Sequence, residues 1–468
     1  MKSALLKLEI DKNYPTVTHG KGIFLYDTEG REYIDGSSGA MTANIGHGVT
    51  EIGDAMKRQS DKVAFTFRHQ FTSEPAEQLA AKIAALAPGD LNWVSFVNSG
   101  SEASEHAIRL ALQYWRERGR ATKVKILSRH TSYHGMTMGA LSMSGHLARR
   151  ADYGTLLHPF PAVPPAYCYR CPWSKQPESC ALECATAWEG AILNAGVDTV
   201  AAVIAEPIVG AAGGALMPPE GYFKTLREIC DKLDVLLIVD EVITGLGRTG
   251  SWFACEDEGV VPDLVLTGKG TSAGYTPMAS VIIRERVVEG LRAGSGTSPI
   301  GHTFSANPLS AAICLAVLEY MERHDLLHNA RARGEELRAG LHALSNRYRH
   351  VADVRGRGLF LGFEFVIDRE SREAPLATLN TSAVFVQACL TEGLIVYPAG
   401  IPPFNNSIIL CPPLVISAAE VSELLRRLDR ALTKMERFLD EHCKAPMTRT
   451  HDTQRVPESE AAVPTGTQ

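Results

Sequence analysis

Apolar and polar residues alternate through GIFLYDTEGREYID at residues 22–35, on either side of Thr28-Glu29-Gly30. Period-two alternation across such a turn predicts a hairpin. A stretch rich in small residues, GSSGAMTANIGHG, follows and predicts a loop. Helical spacing returns over 51–64 and 74–87, the second opening with Glu74-Pro75, a favourable helix start. From about residue 90 short apolar runs alternate with helical stretches. WVSFV at 93–97 precedes Asn98-Ser99-Gly100-Ser101 and the helix EASEHAIRLALQYWRER. TKVKILSR, TVAAVIAEP at 199–207, VLLIVDEV at 235–242, LVLTGKG at 264–270 and ASVIIRE at 279–285 continue the series. Near-continuous apolar strands between helices predict a mainly parallel sheet covered on both faces.

A long helix is expected from about Leu309 to Met321 or beyond. After it come the helix GEELRAGLHALSN, the strand GLFLGFEFVI, a further helix, GLIVYP, SIILCPP and a charged amphipathic helix from Ala418. This order predicts a smaller α+β C-terminal domain. The expected organisation is an N-terminal segment, 1–54, contributing to the small domain and the site entrance. A large domain, 55–329, a small domain, 330–440, and a loose tail, 441–468, complete it.

Composition removes several functions. The 468 residues are 45% hydrophobic, enough for a large core, and the 47 basic and 53 acidic residues leave a net charge of −6 without long blocks. No nucleic acid and no membrane surface is expected as a partner. No apolar run spans a bilayer and no secretory leader opens the chain, so a cytoplasmic location is expected. Ten cysteines are too few for a disulfide-built scaffold of this length.

Sheets of this kind place ligands beyond the carboxyl ends of their strands, where several informative groups fall. Gly100 and Ser101 lie between a strand and a helix, where free N–H groups and a hydroxyl favour phosphate, although Ser-Gly-Ser is also a common cap. Asp240 and Glu241 end an apolar strand, and a carboxylate there wants a cation, a metal or a protonated ring nitrogen; a helix cap with a solvated neighbour is the plainer reading. Lys269, between Gly268 and Gly270, has room for another group to approach its amine and form an imine. GKGTS fails the spacing of a nucleotide-binding phosphate loop, and no G-x-G-x-x-G opens the sheet. Phosphate clamp, imine-forming amine and buried carboxylate are together what pyridoxal phosphate requires. Tyr133 adds a ring able to cover such a cofactor.

The segments NSGSEASEHAIRLA (98–111), SYHGMTMGALS, IAEPIVGAAGG, LLIVDEVITGLGRTG, LVLTGKG and GHTFSANPLSAA resemble, in that order, the motifs of class III pyridoxal-phosphate aminotransferases. The resemblance runs from about Gly22 to about Arg437. It implies an α/β, fold-type-I transferase acting by ping-pong transamination, with active sites shared between two subunits of a homodimer. It also implies roles. Lys269 resembles the imine-forming lysine and proton carrier, and Asp240 the partner of the ring nitrogen. Gly100 and Ser101 resemble one side of the phosphate cup, Thr303 the threonine reaching in from the neighbouring subunit. Tyr133 resembles the ring over one cofactor face, Val242 the apolar support on the other, and Glu206 the glutamate near the cofactor oxygen and substrate channel. Arg248 fits the motif without an assigned role.

The sequence departs from the family at TEGLIVYPAG, 391–400. Tyr397 stands where many relatives acting on amino-acid and oxo-acid pairs place a carboxylate-binding arginine. Arg68, in FTFRHQF, is the expected replacement, with a surface or dimer-contact role as the alternative. An ω-amino compound, amine or amino acid is therefore the expected donor and pyruvate or 2-oxoglutarate the acceptor. An amino-acid racemase, aminomutase or decarboxylase reaction remains the alternative on the same cradle, and a non-enzymatic binding protein the alternative outside it. Cys168, Cys171, Cys180 and Cys184 form C-x2-C-x8-C-x3-C in an insertion, a spacing that suggests a structural zinc, an iron–sulfur cluster, or free thiols.

Overall fold

A computed structural model describes residues 4–443. Of the tail expected over 441–468, Glu441 and His442 belong to the last helix, and the residues from 444 onward lie outside the described residues. The six apolar runs read above become β4 (Trp93–Val97), β5 (Lys125–Arg129), β7 (Val200–Ala205), β8 (Leu236–Asp240), β9 (Leu264–Thr267) and β10 (Ala279–Ile283). With the short β6 (Ala162–Val163), which the sequence reading does not include, they form one seven-stranded sheet in the order β4-β10-β9-β8-β7-β5-β6. Only β10 runs antiparallel to its neighbours. Every residue of β7 and β8 is buried. That burial is why these strands read as unbroken apolar runs rather than alternating ones.

A strand absent from the sequence reading, β1 (Val17–Lys21), pairs antiparallel with β2 (Phe24–Asp27) ahead of the expected hairpin, which forms between β2 and β3 (Glu32–Asp35). Its last strand joins the C-terminal half. Leu394–Ile395 (β13) pairs parallel with Ile34 and Asp35. A separate four-stranded antiparallel sheet has the order β11-β12-β15-β14, from Val351–Arg357 (β11), Phe360–Phe365 (β12), Tyr397–Ala399 (β14) and Ser407–Leu410 (β15).

Apart from the helix expected from Gly334, which already begins at Leu326, most helices agree with the periodicity to within a few residues, including Pro308–Arg323 and Ala418–His442. The last is fixed at its start by a reciprocal capping box between Ser417 and Glu420. The boundary expected between 329 and 330 falls inside one continuous helix, Leu326–Arg347. Strand β11 is absent from the sequence reading. Its side chains are not an apolar run, because Arg355 turns inward to Asp353, Glu364 and Tyr167. A strand that buries ions in pairs leaves no hydrophobic signature.

Candidate active site

The carboxyl ends of β4, β7, β8 and β9 open into a cavity of about 160 Å³ lined by Ser99, Gly100, Ser101, Tyr133, Glu206, Asp240, Val242 and Lys269 among others. Residues more than 160 positions apart in sequence converge here because parallel strands deliver all their carboxyl ends to one edge.

Lys269 follows β9 at φ 42°, a left-handed conformation uncommon for a side-chain-bearing residue. Such a residue costs on the order of 1–3 kcal/mol and persists only where its surroundings enforce it. They do so here. Thr271 Oγ1 donates to the Gly268 carbonyl at 3.0 Å. A Cβ on Gly270 would stand 2.2 Å from Asn44. Burial pushes the Lys269 ammonium below its ordinary pKa, against the opposing pull of Asp240 and Glu206. The neutral, nucleophilic amine is thus favoured relative to an exposed lysine.

Asp240 ends β8. Its Oδ2 lies 2.7 Å from His134 Nδ1 and its Oδ1 accepts the Val242 N–H at 3.1 Å. Both side chains are buried, and His134 Nε2 has no hydrogen-bond partner among the described residues. Glu206, at the end of β7, is gripped at both oxygens, accepting the Tyr133 N–H at 3.0 Å and the Gly210 N–H at 2.9 Å. Burial raises its pKa. Burial likewise raises that of the Tyr133 phenol.

Across the cavity, helix Gly100–Glu117 presents its N-terminus, capped by Ser99 accepting from Glu102 N. Ser101 Oγ accepts the Met136 N–H at 3.0 Å and keeps its own proton to donate. Val242 fills the space that a side chain on Gly100 would need, 3.0 Å away, or on Gly268, 3.2 Å away. The cavity therefore offers an anion site, a buried amine and a buried carboxylate, and these residues fit the phosphate, aldehyde and ring nitrogen of pyridoxal phosphate.

Several neighbours serve structure instead. Glu241 is not solvated: it is buried, accepting from Thr244 Oγ1 and from the N–H groups of Ala254 and Cys255. Glu102 and Glu105 satisfy backbone N–H groups at Asn98 and at Gly139 and Ala140. Arg248 is fully buried and donates to the carbonyls of Leu359 and Pro412 and to Asn44 Oδ1, clamping three distant segments. Arg248→Ala is expected to cost about 3 kcal/mol of stability, since charged donors and buried carbonyls lose their partners together. Denaturant unfolding checks this, and an unchanged midpoint would deny the clamp.

Other expected site residues lie outside this cavity. Arg68 lines a second cavity with Ser95 and His106. Thr303 is exposed, in the same segment as Gly301, whose backbone lies against Arg68. Tyr397, half-buried, packs with Ile208, Ile243 and Met217 beside the pocket rather than in its lining.

The cysteine expectation needs correction. Cys168, Cys171, Cys180 and Cys184 are free, and their mutual influence raises the Cys168 and Cys184 thiols, after burial, the latter to about 12. A zinc site needs its sulfurs facing one point. Among the described residues no group of three or more histidine, cysteine or acidic side chains is arranged to hold a metal ion. The zinc reading has no support in the structure. The insertion instead docks on the small sheet, where Arg170 and Tyr167 bond Glu364.

Two residues in contact with the cavity's Asp240 and Tyr133 are missing from the sequence reading. His134 sits beside Tyr133 within SYHGMTMGALS, and a histidine inside that segment was the available signal. Arg149 has its guanidinium carbon 4.2 Å from the Tyr133 ring centroid and gave no signal, because HLARRADYG reads as a solvated stretch.

The aminotransferase class-III family model matches residues 9–432. The aminotransferase YodT of Bacillus subtilis is 42% identical over 94% of this chain and 99% of its own. The taurine–pyruvate aminotransferase of Bilophila wadsworthia is 36% identical over 89% of this chain and 92% of its own. Among solved structures, an ω-transaminase from Pseudomonas jessenii in complex with PMP superposes with a TM-score of 0.86 at 30% identity, covering 92% of this chain and 97% of that one.

Proposed function

From the premise that this chain belongs to the class III aminotransferases, as a pyridoxal-phosphate-dependent enzyme of fold type I, we propose that it moves an amino group from an ω-amino compound or simple amine to pyruvate or 2-oxoglutarate. The observation that carries the reading is the buried Lys269 facing Asp240 and Glu206, with tyrosine rather than arginine at 397. Relatives named for taurine and pyruvate, and ω-transaminases of the same fold, support the same donor class. No helix among the described residues is long and apolar enough to cross a membrane.

Pyridoxal phosphate, when bound, supplies the aldehyde that takes up the donor nitrogen and an electron-withdrawing ring. The chain's residues do the rest. The N-terminus of helix Gly100–Glu117, with Ser101 Oγ, would hold the phosphate. Asp240, oriented by His134 and the Val242 N–H, is the residue that would pair with the ring nitrogen and favour its protonated form. Tyr133 and Val242 confine the ring, and Glu206 borders the substrate side. Lys269 Nζ, favoured in its neutral form by burial, takes a proton from the substrate carbon and returns one on the other side of the reaction. In a homodimer, Thr303 and Arg68 serve the neighbouring subunit's pocket.

A panel of donors against acceptors tests the reading. Amino transfer from ω-amines to pyruvate or 2-oxoglutarate, with the new amino acid and carbonyl product formed in equal amounts, is the expected result. Exclusive use of α-amino acids would overturn the donor class, and product without nitrogen transfer would point to racemisation, amino-group migration or decarboxylation.

A further inference from the structure

The acceptors proposed above carry a carboxylate into a cavity that already holds Asp240 and Glu206. A cation must meet that charge, and the usual position is taken by Tyr397. Most arginines near the cavity are committed. Arg150 donates to the carbonyls of Leu141, Ser142 and Ser144. Arg129 donates to the Glu206 carbonyl. Arg170 and Arg355 are both spent on Glu364. His146, edge-on to Tyr133, is held down to about 4 by burial and then by Arg149, and is neutral near pH 7.

Arg149 is different. It is half-buried, and among the described residues Tyr133 is its side-chain partner, stacked under the guanidinium at 4.2 Å, with no carboxylate in ion-pairing contact. The Tyr133 ring lines the Lys269 cavity, so the guanidinium lies against a residue of its wall. Its charge is felt at Lys269 and at the Tyr133 phenol, and the phenol also feels Tyr397. An arginine stacked on an aromatic face is pre-oriented, and beyond the donor that reaches the Tyr133 phenol the guanidinium has further N–H groups to offer a carboxylate. Arg149 sits on a short helical segment, Leu147–Arg150, none of whose residues is fully buried.

We propose that Arg149 is the specificity-determining cation of this enzyme, receiving the carboxylate of the 2-oxo acid acceptor in place of the arginine that Tyr397 replaces. The inference rests on the acceptor class proposed above. It assigns to one chain both the stack on Tyr133 and the recognition of the acid group, without calling on Arg68.

The test compares pyruvate with an uncharged aldehyde acceptor, using one amine donor and the cofactor-loaded enzyme. Arg149→Met is expected to raise the KM for pyruvate by roughly 10- to 100-fold, the loss of a charge-assisted contact, with a much smaller change in kcat. The KM for the aldehyde is expected to move by less than about 2-fold, and Arg149→Lys to recover part of the loss, because it restores charge but not the fork. Equal losses on both acceptors, or weakened cofactor absorbance in the Met variant, would mean that Arg149 only supports Tyr133 and would overturn the proposal. So would unchanged kinetics with pyruvate. A wild-type enzyme that uses aldehydes but no 2-oxo acid would defeat the acceptor class itself, a failure seen before any variant is made.

Discussion

Lys269→Ala is expected to lower kcat for transamination by roughly 10⁴-fold, about 5 kcal/mol of transition-state stabilisation, without unfolding the protein. Lys269 is the amine lining the cavity, and no other lysine or histidine there offers a proton carrier except His134, which is committed to Asp240. The loss is chemical rather than structural. A small primary amine added to the assay should therefore restore part of the rate, whereas it cannot rescue a misfolded chain. A residual rate within 10-fold of wild type, unaffected by added amine, would rule out Lys269 as the proton carrier.

The same residue predicts a pH effect. Burial lowers its pKa in the folded chain relative to the 10.5 of an ordinary lysine. Between the lowered value and 10.5 the unfolded chain binds the proton that the folded chain lacks, so stability of the cofactor-free protein rises with pH across that window. Lys269→Ala should flatten that part of the stability profile. A wild-type slope retained in the variant would place the titration elsewhere.

Asp240→Asn is expected to lower kcat by roughly 10²–10³-fold and to weaken cofactor retention, while the His134 contact survives in neutral form. The substitution keeps shape and a hydrogen bond and removes the charge alone. Its effect therefore measures electrostatics in a buried setting, where a fixed charge acts at low effective dielectric. His134→Ala should act in the same direction but less, since it leaves the charge and frees its orientation. Stopped-flow measurement of the first half-reaction checks both. If Asp240→Asn left that rate unchanged, the carboxylate would have no part in the chemistry.

The frame of this enzyme is legible in its sequence because parallel strands buried on both faces leave unbroken apolar runs. The residues that follow each run, Gly100-Ser101, Glu206, Asp240 and Lys269, mark the site, since the sheet brings those ends together. Groups that work through contacts across the fold are harder to see. Arg149 belongs to a polar, exposed-looking segment, and only folding puts it on the Tyr133 ring. Strand β11 hides because its inward residue is Arg355, neutralised by Asp353 and Glu364. The cysteine spacing suggested a metal because spacing carries no information on where sulfurs point. Arg68 lines a second cavity of its own chain, and a role across a dimer, as proposed for it, is not written in its local sequence.

Borohydride reduction of the purified, cofactor-loaded protein, followed by peptide mass analysis, tests the central claim most directly. The expected result is one phosphopyridoxyl group per chain, on the peptide containing LVLTGKG at Lys269, absent from Lys269→Ala. An adduct on any other lysine, or none in a protein that transaminates, would contradict it.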